Sequence, residues 1–360
     1  MKVLIYILGT IALLALAVFV GVRFALLLAI GIGLGFVLER LGFGFAGPWR
    51  RLISERDGRG VIAQCWAIGL TALVIQPLIA SSDSLIGAIG PVSLTMALAA
   101  FVFGLAMQIV LGCGSGTLVN AGSGNFVALI ALPAFCVGSF VGTLALPYAI
   151  SATPHQPVEL ANTLGLTGGL LLTLIGLIII ALLAYRYSTD KGVNRKLMIA
   201  ATWVAILAIL HLIVAGQPWG VVYGLGLWGA KIALSIGWDP SLSVFWSAPV
   251  NAQSLASSVL NDTTSLTSMG LMGGAALASF TLMKGQPLLP RVQLWFYCIV
   301  ILSGLCLGIS SRLAFGCNVG ALFSGIASGS LHGWIWLITA FMGSILGVRW
   351  RDYLWQRAQI

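Results

Sequence analysis

Two short stretches pair a single cysteine with glycines at matched spacing: LGCGSGTL, Leu111 to Leu118, and FGCNVGAL, Phe315 to Leu322. Cys317 follows Cys113 by 204 residues (317 − 113), and the same shift sets Gly112 on Gly316, Gly116 on Gly320 and Leu118 on Leu322. After one inserted residue, Ser123-Gly124 meets Ser328-Gly329, and GSFVG from Gly138 meets GSILG from Gly343. A shared G-C-x-x-G-x-L with a second anchor downstream marks an internal duplication. The chemistry such loops could do is to hold a small anion weakly. Glycine-rich turns aim backbone N–H groups outward, and oriented dipoles replace the water that a dianion loses in an apolar interior. A neutral thiol can donate a weak S–H bond to a soft sulfur atom, where a thiolate would repel an anion. Weak, repeated contacts bind without trapping, so no chemical conversion is required.

The elements that must position these loops belong to a membrane. Of 360 residues 59% are hydrophobic and only 8% charged, and the mean hydropathy is +1.05, far outside the range of soluble domains. Apolar stretches of crossing length fall at 3–41, 61–80, 91–111, 126–147, 161–184, 198–215, 266–283, 292–310 and 331–348, the first long enough for two passes. That first stretch resembles a signal peptide, but it runs on without an A-x-A-like cleavage site and is read as retained. The expected architecture is therefore an all-α polytopic membrane protein with about nine or ten membrane helices plus re-entrant cysteine-containing loops. It forms one integral membrane domain over 1–360, with 1–190 as the first repeat half and 191–360 as the second. Irregular backbone within a bilayer survives only where protein buries it or a cavity solvates it, which puts both cysteine loops at a central path.

A net charge of +9 would suggest nucleic acid as a partner in a soluble chain, but here position matters more than the sum. Thirteen of the 18 lysines and arginines lie in the loops 49–60, 185–197 and 284–291 and at the C-terminus, while 81–90, 148–160, 216–222 and 246–265 contain none. The positive-inside rule puts the basic segments in the cytoplasm and accounts for the charge, which makes nucleic acid the weak reading. The first copy runs into a loop free of basic residues and the second into Arg349 and Arg351, so the copies are expected to be inverted. Inverted repeats mark transporters, with the site near the midplane.

Three stretches carry a family resemblance: GFVLERLGFGFAGPWRRL (Gly35 to Leu52), the FGLAMQIVLGCGSGTLVNAGSGN block ending at Asn125, and GLCLGISSRLAFGCNVGALFSGIASGSLHGW (Gly304 to Trp334). On these the chain resembles the YeeE/YedE sulfur-transport family of bacterial membrane proteins. The resemblance implies a multi-pass protein of the bacterial inner membrane, hourglass-shaped, that takes up a sulfur-containing anion, best exemplified by thiosulfate, past cysteines on a central path. It implies no cofactor. Where many relatives carry a cysteine in a phrase like R-F-C-F, this sequence reads Gly42-Phe43-Gly44-Phe45, so two path cysteines carry over and Gly44 stands at the third position. A cytoplasmic sulfur-carrier protein would be the soluble partner at the basic loops, with bulk membrane lipid around the helices.

The substrate-path residues expected on these grounds are Cys113, Cys317, Gly112, Gly116, Gly316, Asn318 and Gly320. Each has a plainer alternative: a free cysteine is commonly a small buried hydrophobe, and glycines permit close helix approach. Charges inside apolar stretches are functional suspects. Arg40 beside Glu39 could be an ion pair or an interface residue, and Lys231 and Arg312 could attract an anion at a vestibule or cap helix carbonyls. Asn120 and Asn125 are further polar liners. Cys65, Cys136, Cys298 and Cys306 are expected to pack in helix interiors. No C-x-x-C pair or clustered histidine supports a zinc or dithiol site, which weakens a thiol oxidoreductase, and no Walker A motif supports an ATPase. A sensor that binds sulfur anions and signals to a soluble partner would keep the same loops and remains the alternative to a carrier.

Overall fold

A computed structural model describes residues 2–152, 156–282 and 293–358. The helices in chain order are α1 Lys2–Phe19, α2 Val22–Leu41, α3 Ala46–Glu55, α4 Arg59–Ala80, α5 Leu94–Ile109, α6 Gly114–Gly122, α7 Phe126–Ala152, α8 Leu160–Tyr187, α9 Arg195–Ala215, α10 Val222–Ser235, α11 Val244–Ser247, α12 Pro249–Ala256, α13 Thr263–Leu282, α14 Leu294–Leu313 and α15 Leu331–Ala358, with a π-helix at Asn318–Gly325 between the last two. Among the described residues there is no sheet, only isolated bridges from Pro91 to Pro157 and from Glu159 to Ser330. Eight helical segments are long and apolar enough to cross a bilayer, so the chain is an all-α, multi-pass membrane protein. Nine or ten spans were expected. Of the expected spans, the two outside the eight are α1, whose apolar part at Gly9–Phe19 is short, and α13, where buried Thr264, Ser265, Thr267 and Ser268 occupy the first turns.

Without a hydrophobic drive between helices in lipid, close packing depends on small residues, and glycines stand at the principal contacts. A Cβ on Gly138 would strike Leu305, and one on Gly142 would stand 3.0 Å from Ile309 Cα, so α7 and α14 run side by side in the same direction. Gly343 faces Phe101 and Gly347 faces Leu105 in the same way, pairing α15 with α5. Those contacts correspond across the two copies: Gly138 and Gly142 align with Gly343 and Gly347, and Leu305 and Ile309 align with Phe101 and Leu105. Each copy's following helix thus packs on the other copy's preceding helix. The periphery is different, because α8 is only 17% buried and presents Leu171, Ile175, Ile178 and Leu182 outward, a face that suits lipid chains.

The basic segments share one end of the bundle. Arg59 bonds Asp57 and Asp190 at 2.8 Å each, and Gly58 N–H donates to Ser188 Oγ at 2.8 Å, tying 49–60 to 185–197. The Arg59 guanidinium, donating to Asp57, holds that carboxyl below its usual range. An apolar groove of about 840 Å³ there is walled by Trp49, Tyr187, Phe341 and Arg349, bringing in the C-terminal basic stretch. The loop 284–291 lies outside the described residues. At the other end, Ile86 N–H donates to Gly216 O at 3.0 Å and Arg23 donates to the carbonyls of Val214 and Ala215 at 2.9 and 2.8 Å.

One expectation is overturned. Cys65 and Cys136 are buried as expected, but Cys298 and Cys306 are exposed. On α14 the inward face is made by Phe296, Val300, Ser303 and Leu307, and the 3.6-residue turn carries both cysteines to the outward side. Hydropathy cannot separate a face that meets lipid from one that meets protein.

Candidate functional site

Each cysteine sits at a break in a helix. Leu111 and Phe315, both non-glycine, hold left-handed backbone at φ 62° and 55°, a conformation costing roughly 1–2 kcal/mol for a residue with a Cβ, and strain of this kind gathers at functional sites. The breaks agree bond for bond. Gly112 N–H donates to Met107 O at 3.1 Å, as Gly316 N–H does to Ser311 O at 2.9 Å; Thr117 N–H donates to Cys113 O and Ala321 N–H to Cys317 O, both at 2.8 Å. One copy is a residue longer between these bonds and the next pair, Ser123 N–H to Val119 O and Ser328 N–H to Ser324 O, both at 2.9 Å. The extra residue is absorbed by winding Asn318–Gly325 as a π-helix where α6 is an α-helix. Single-residue insertions commonly appear as π-helical turns and are frequent at functional sites.

Cys113 and Cys317 hold the capping positions of α6 and the π-helix, so each thiol lies at the positive end of a short helix. The loops meet: a Cβ on Gly114 would come within 2.9 Å of both Cys317 Sγ and Val221 Cγ2. Cys113 Sγ accepts from Gly116 N–H at 3.5 Å and lies 3.5 Å from Ser115 Oγ, whereas Cys317 makes no side-chain cap bond. Asn318, fully buried, leaves both amide atoms unpartnered, and so does the Thr117 hydroxyl. Gly112 and Gly316 cannot carry a side chain, since a Cβ would lie 2.9 Å from Thr117 N and 2.5 Å from Ala321 N respectively. Gly116 faces Cys113 Sγ at 3.5 Å, and Gly320 faces open space.

Two further loops close on this point. After α2, Gly42 turns the chain at φ 70°, and after α9, Gly216 does so at φ 76°. Phe45 from the first loop and Trp219 from the second both stand edge-on to Phe323 of the π-helix, with centroids 6.0 and 5.9 Å apart. Gln64 fixes the first loop by donating to Gly44 O at 2.8 Å and Phe45 O at 3.1 Å. Gly44 itself has nothing within 4 Å of the place a Cβ would occupy. The sequence reading treats 216–222 only as a connecting loop free of basic residues and does not place Gln217 to Val221 at the site, although a Gly-Gln-Pro-Trp-Gly interruption between apolar helices is a usable signal.

A cavity of about 280 Å³ beside the 216–222 loop reaches the second cysteine loop, lined by Gln217, Thr264, Arg312, Phe315, Gly316 and Gly320 among others. Arg312 stands there over Phe245 and Tyr223, its carbon Cζ 5.0 and 5.7 Å from the ring centroids. Such contacts offer about 0.5–2 kcal/mol each against the cost of a guanidinium at membrane depth. The other charged and polar candidates lie elsewhere. Lys231 Nζ donates to Leu255 O at 2.7 Å and Ser257 O at 2.6 Å, so it caps α12 and does not line this cavity. Arg40 is exposed at the end of α2. Asn120 Nδ2 donates to Leu111 O at 3.1 Å, bracing the strained residue, and Asn125 Oδ1 accepts from Ala128 N–H at 3.2 Å at the start of α7.

Comparison with known sequences bears on what this arrangement handles. The profile of the family described as sulphur transport matches residues 40–346, which takes in all four loops. The chain belongs to that sulphur-transport family. Its relatives include the thiosulfate transporter TsuA of Spirochaeta thermophila, 25% identical over 261 aligned residues that cover 68% of this chain and 73% of the relative. The probable transporter YedE of Escherichia coli is 27% identical over 144 residues, covering 40% of this chain and 35% of YedE; this chain therefore spans about a third of that relative. Membership makes the protein a sulfur-compound transporter of the membrane, and the YeeE/YedE resemblance read from the three motifs stands. Of the four converging loops, two carry thiols and a third has the uncrowded Gly44.

Proposed function

We propose that this protein carries thiosulfate across the bacterial inner membrane, past Cys113 and Cys317, into the cytoplasm at the end bearing the basic loops. The observation that carries this reading is the contact between two matched cysteine loops, each a helix break with strained backbone and a half-helix N-terminus at its thiol. The family and the named activity of the Spirochaeta relative support the substrate. Half-helix N-termini present a positive end to an anion at membrane depth, and the uncharged thiols give soft contacts to a terminal sulfur. The reciprocal packing of α7 on α14 and α15 on α5 supports two inverted repeats around this path, with 1–190 and 191–360 as the halves. Gly112, Gly116, Gly316 and Gly320 keep the backbone bare of side chains along the path, and Asn318 offers an unpaired amide. A soluble sulfur-carrier protein would receive the anion at the basic end.

Uptake of radiolabelled thiosulfate into proteoliposomes tests the proposal. Uptake above that of protein-free vesicles, with sulfate transported more slowly, is expected. Thiosulfate binding without any uptake would instead identify a sensor.

A further inference from the structure

Of the two helix breaks, only the second has a cation at its threshold. The residue five before the cysteine is Gln108 in the first copy and Arg312 in the second. Gln108 is buried and donates to Ala46 O at 3.4 Å, so its amide is spent on the neighbouring loop. Arg312 has no carboxylate within ion-pair distance and no side-chain hydrogen bond among the described residues, and its Nε is enclosed without a partner. Aromatic rings, not anions, flank it. It lines a cavity that reaches Gly316 and Gly320, on either side of Cys317, and that also presents the hydroxyl-bearing Thr264, Ser311 and Tyr223. A guanidinium held beneath rings and lacking a protein counter-ion presents its fork of donors to whatever anion enters.

Resting on the transport reading, we infer that Arg312 forms an oxyanion-recognition station at the mouth beside the 216–222 loop, one that binds the sulfonate end of thiosulfate and leaves its terminal sulfur directed toward the Cys317 loop. The two ends of the substrate are then read by different chemistry. The charged oxygens meet a hard, multivalent donor, and the soft sulfur meets the thiol. Sulfate shares the oxygens and lacks the sulfur. It occupies the station but gains nothing at the cysteine. The charge is not duplicated at the other break, where Gln108 stands, so the station belongs to one end of the path.

The two contributions separate in a binding and uptake experiment on the full chain, purified in detergent and reconstituted in proteoliposomes. Arg312→Gln, which gives the second break the same residue as the first, is expected to weaken thiosulfate and sulfate binding alike, by tenfold or more. Arg312→Lys keeps the charge without the fork and is expected to recover part of the affinity that Arg312→Gln loses for both anions, showing that charge and not folding is at issue. Cys317→Ala is expected to abolish the preference for thiosulfate over sulfate and leave sulfate affinity unchanged. Unchanged affinity for both anions in Arg312→Gln, with thiosulfate uptake by the wild type intact, overturns the station alone. Failure of the wild type to bind either anion overturns the station, and failure to transport thiosulfate overturns the transport reading. A loss confined to thiosulfate in Arg312→Gln also contradicts the assignment, because it would place the guanidinium at the sulfur end.

Discussion

The two cysteine loops share a backbone and differ in what closes them. Around Cys113 most groups are tied within the protein, the Thr117 hydroxyl excepted: the thiol caps its own helix, Asn120 holds the strained Leu111 carbonyl, and Gln108 is tied to Ala46. At Cys317 the matching groups are loose. The thiol makes no cap bond, Gly325 stands where Asn120 would be, Phe315 lines a cavity and Asn318 has no partner. In the proposed duplication, the two loops keep one backbone, with the first copy as a braced wall and the second as the receiving surface. The strained residue is the common investment, and the side chains around it decide the role.

The largest effect should come from separating the loops. Gly114→Val would force carbons into the contact with Cys317 and Val221, and overpacking of about 1–3 kcal/mol should reduce thiosulfate uptake by at least tenfold; uptake at wild-type rate would show that the loops do not need to touch. Next in size is the difference between the two thiols. Cys113→Ala removes a cap, at about 1 kcal/mol, and should lower the thermal midpoint in detergent further than Cys317→Ala does; the reverse order would break the comparison. Asn120→Ala should cost about 1 kcal/mol through the lost bond to Leu111, seen in the same melts, whereas Gly325→Asn has no counterpart to restore because His332 already crowds that position, with Cε1 2.8 Å from an added Cβ. The smallest change is expected from Gly44→Cys. The space is free, so the variant should unfold within about 0.5 kcal/mol of the wild type, as surface-like substitutions do; a large loss of stability would mean that the GFGF loop is packed more tightly than its geometry indicates.

Much of the architecture could be read in the sequence because lipid demands long apolar helices, and those leave an unmistakable record. The cysteine loops were legible for a different reason: G-C-x-x-G-x-L twice, with a one-residue slip, predicts matched breaks, and the slip reappears as π-helical winding at Asn318–Gly325. Side-chain assignments were less visible. Lys231 and Arg312 look alike in sequence, each a lone cation in an apolar run, and only the fold shows one spent on the carbonyls of Leu255 and Ser257 and the other facing a cavity. Cys298 and Cys306 face outward because hydrophobicity has no direction in a bilayer. The Gln217 to Val221 loop lacks any thiol or charge, so no chemical argument drew the eye to it.

The central claim is that both thiols contact the passing substrate, and serine substitution tests it most directly. Serine keeps the size of cysteine and caps helices well, but replaces soft sulfur with a hard hydroxyl. Initial rates of thiosulfate uptake into proteoliposomes should therefore fall by about tenfold or more, the loss of about 1.4 kcal/mol of selective contact, in Cys113→Ser and in Cys317→Ser, with thermal midpoints close to wild type. Wild-type rates in both folded variants would contradict the account.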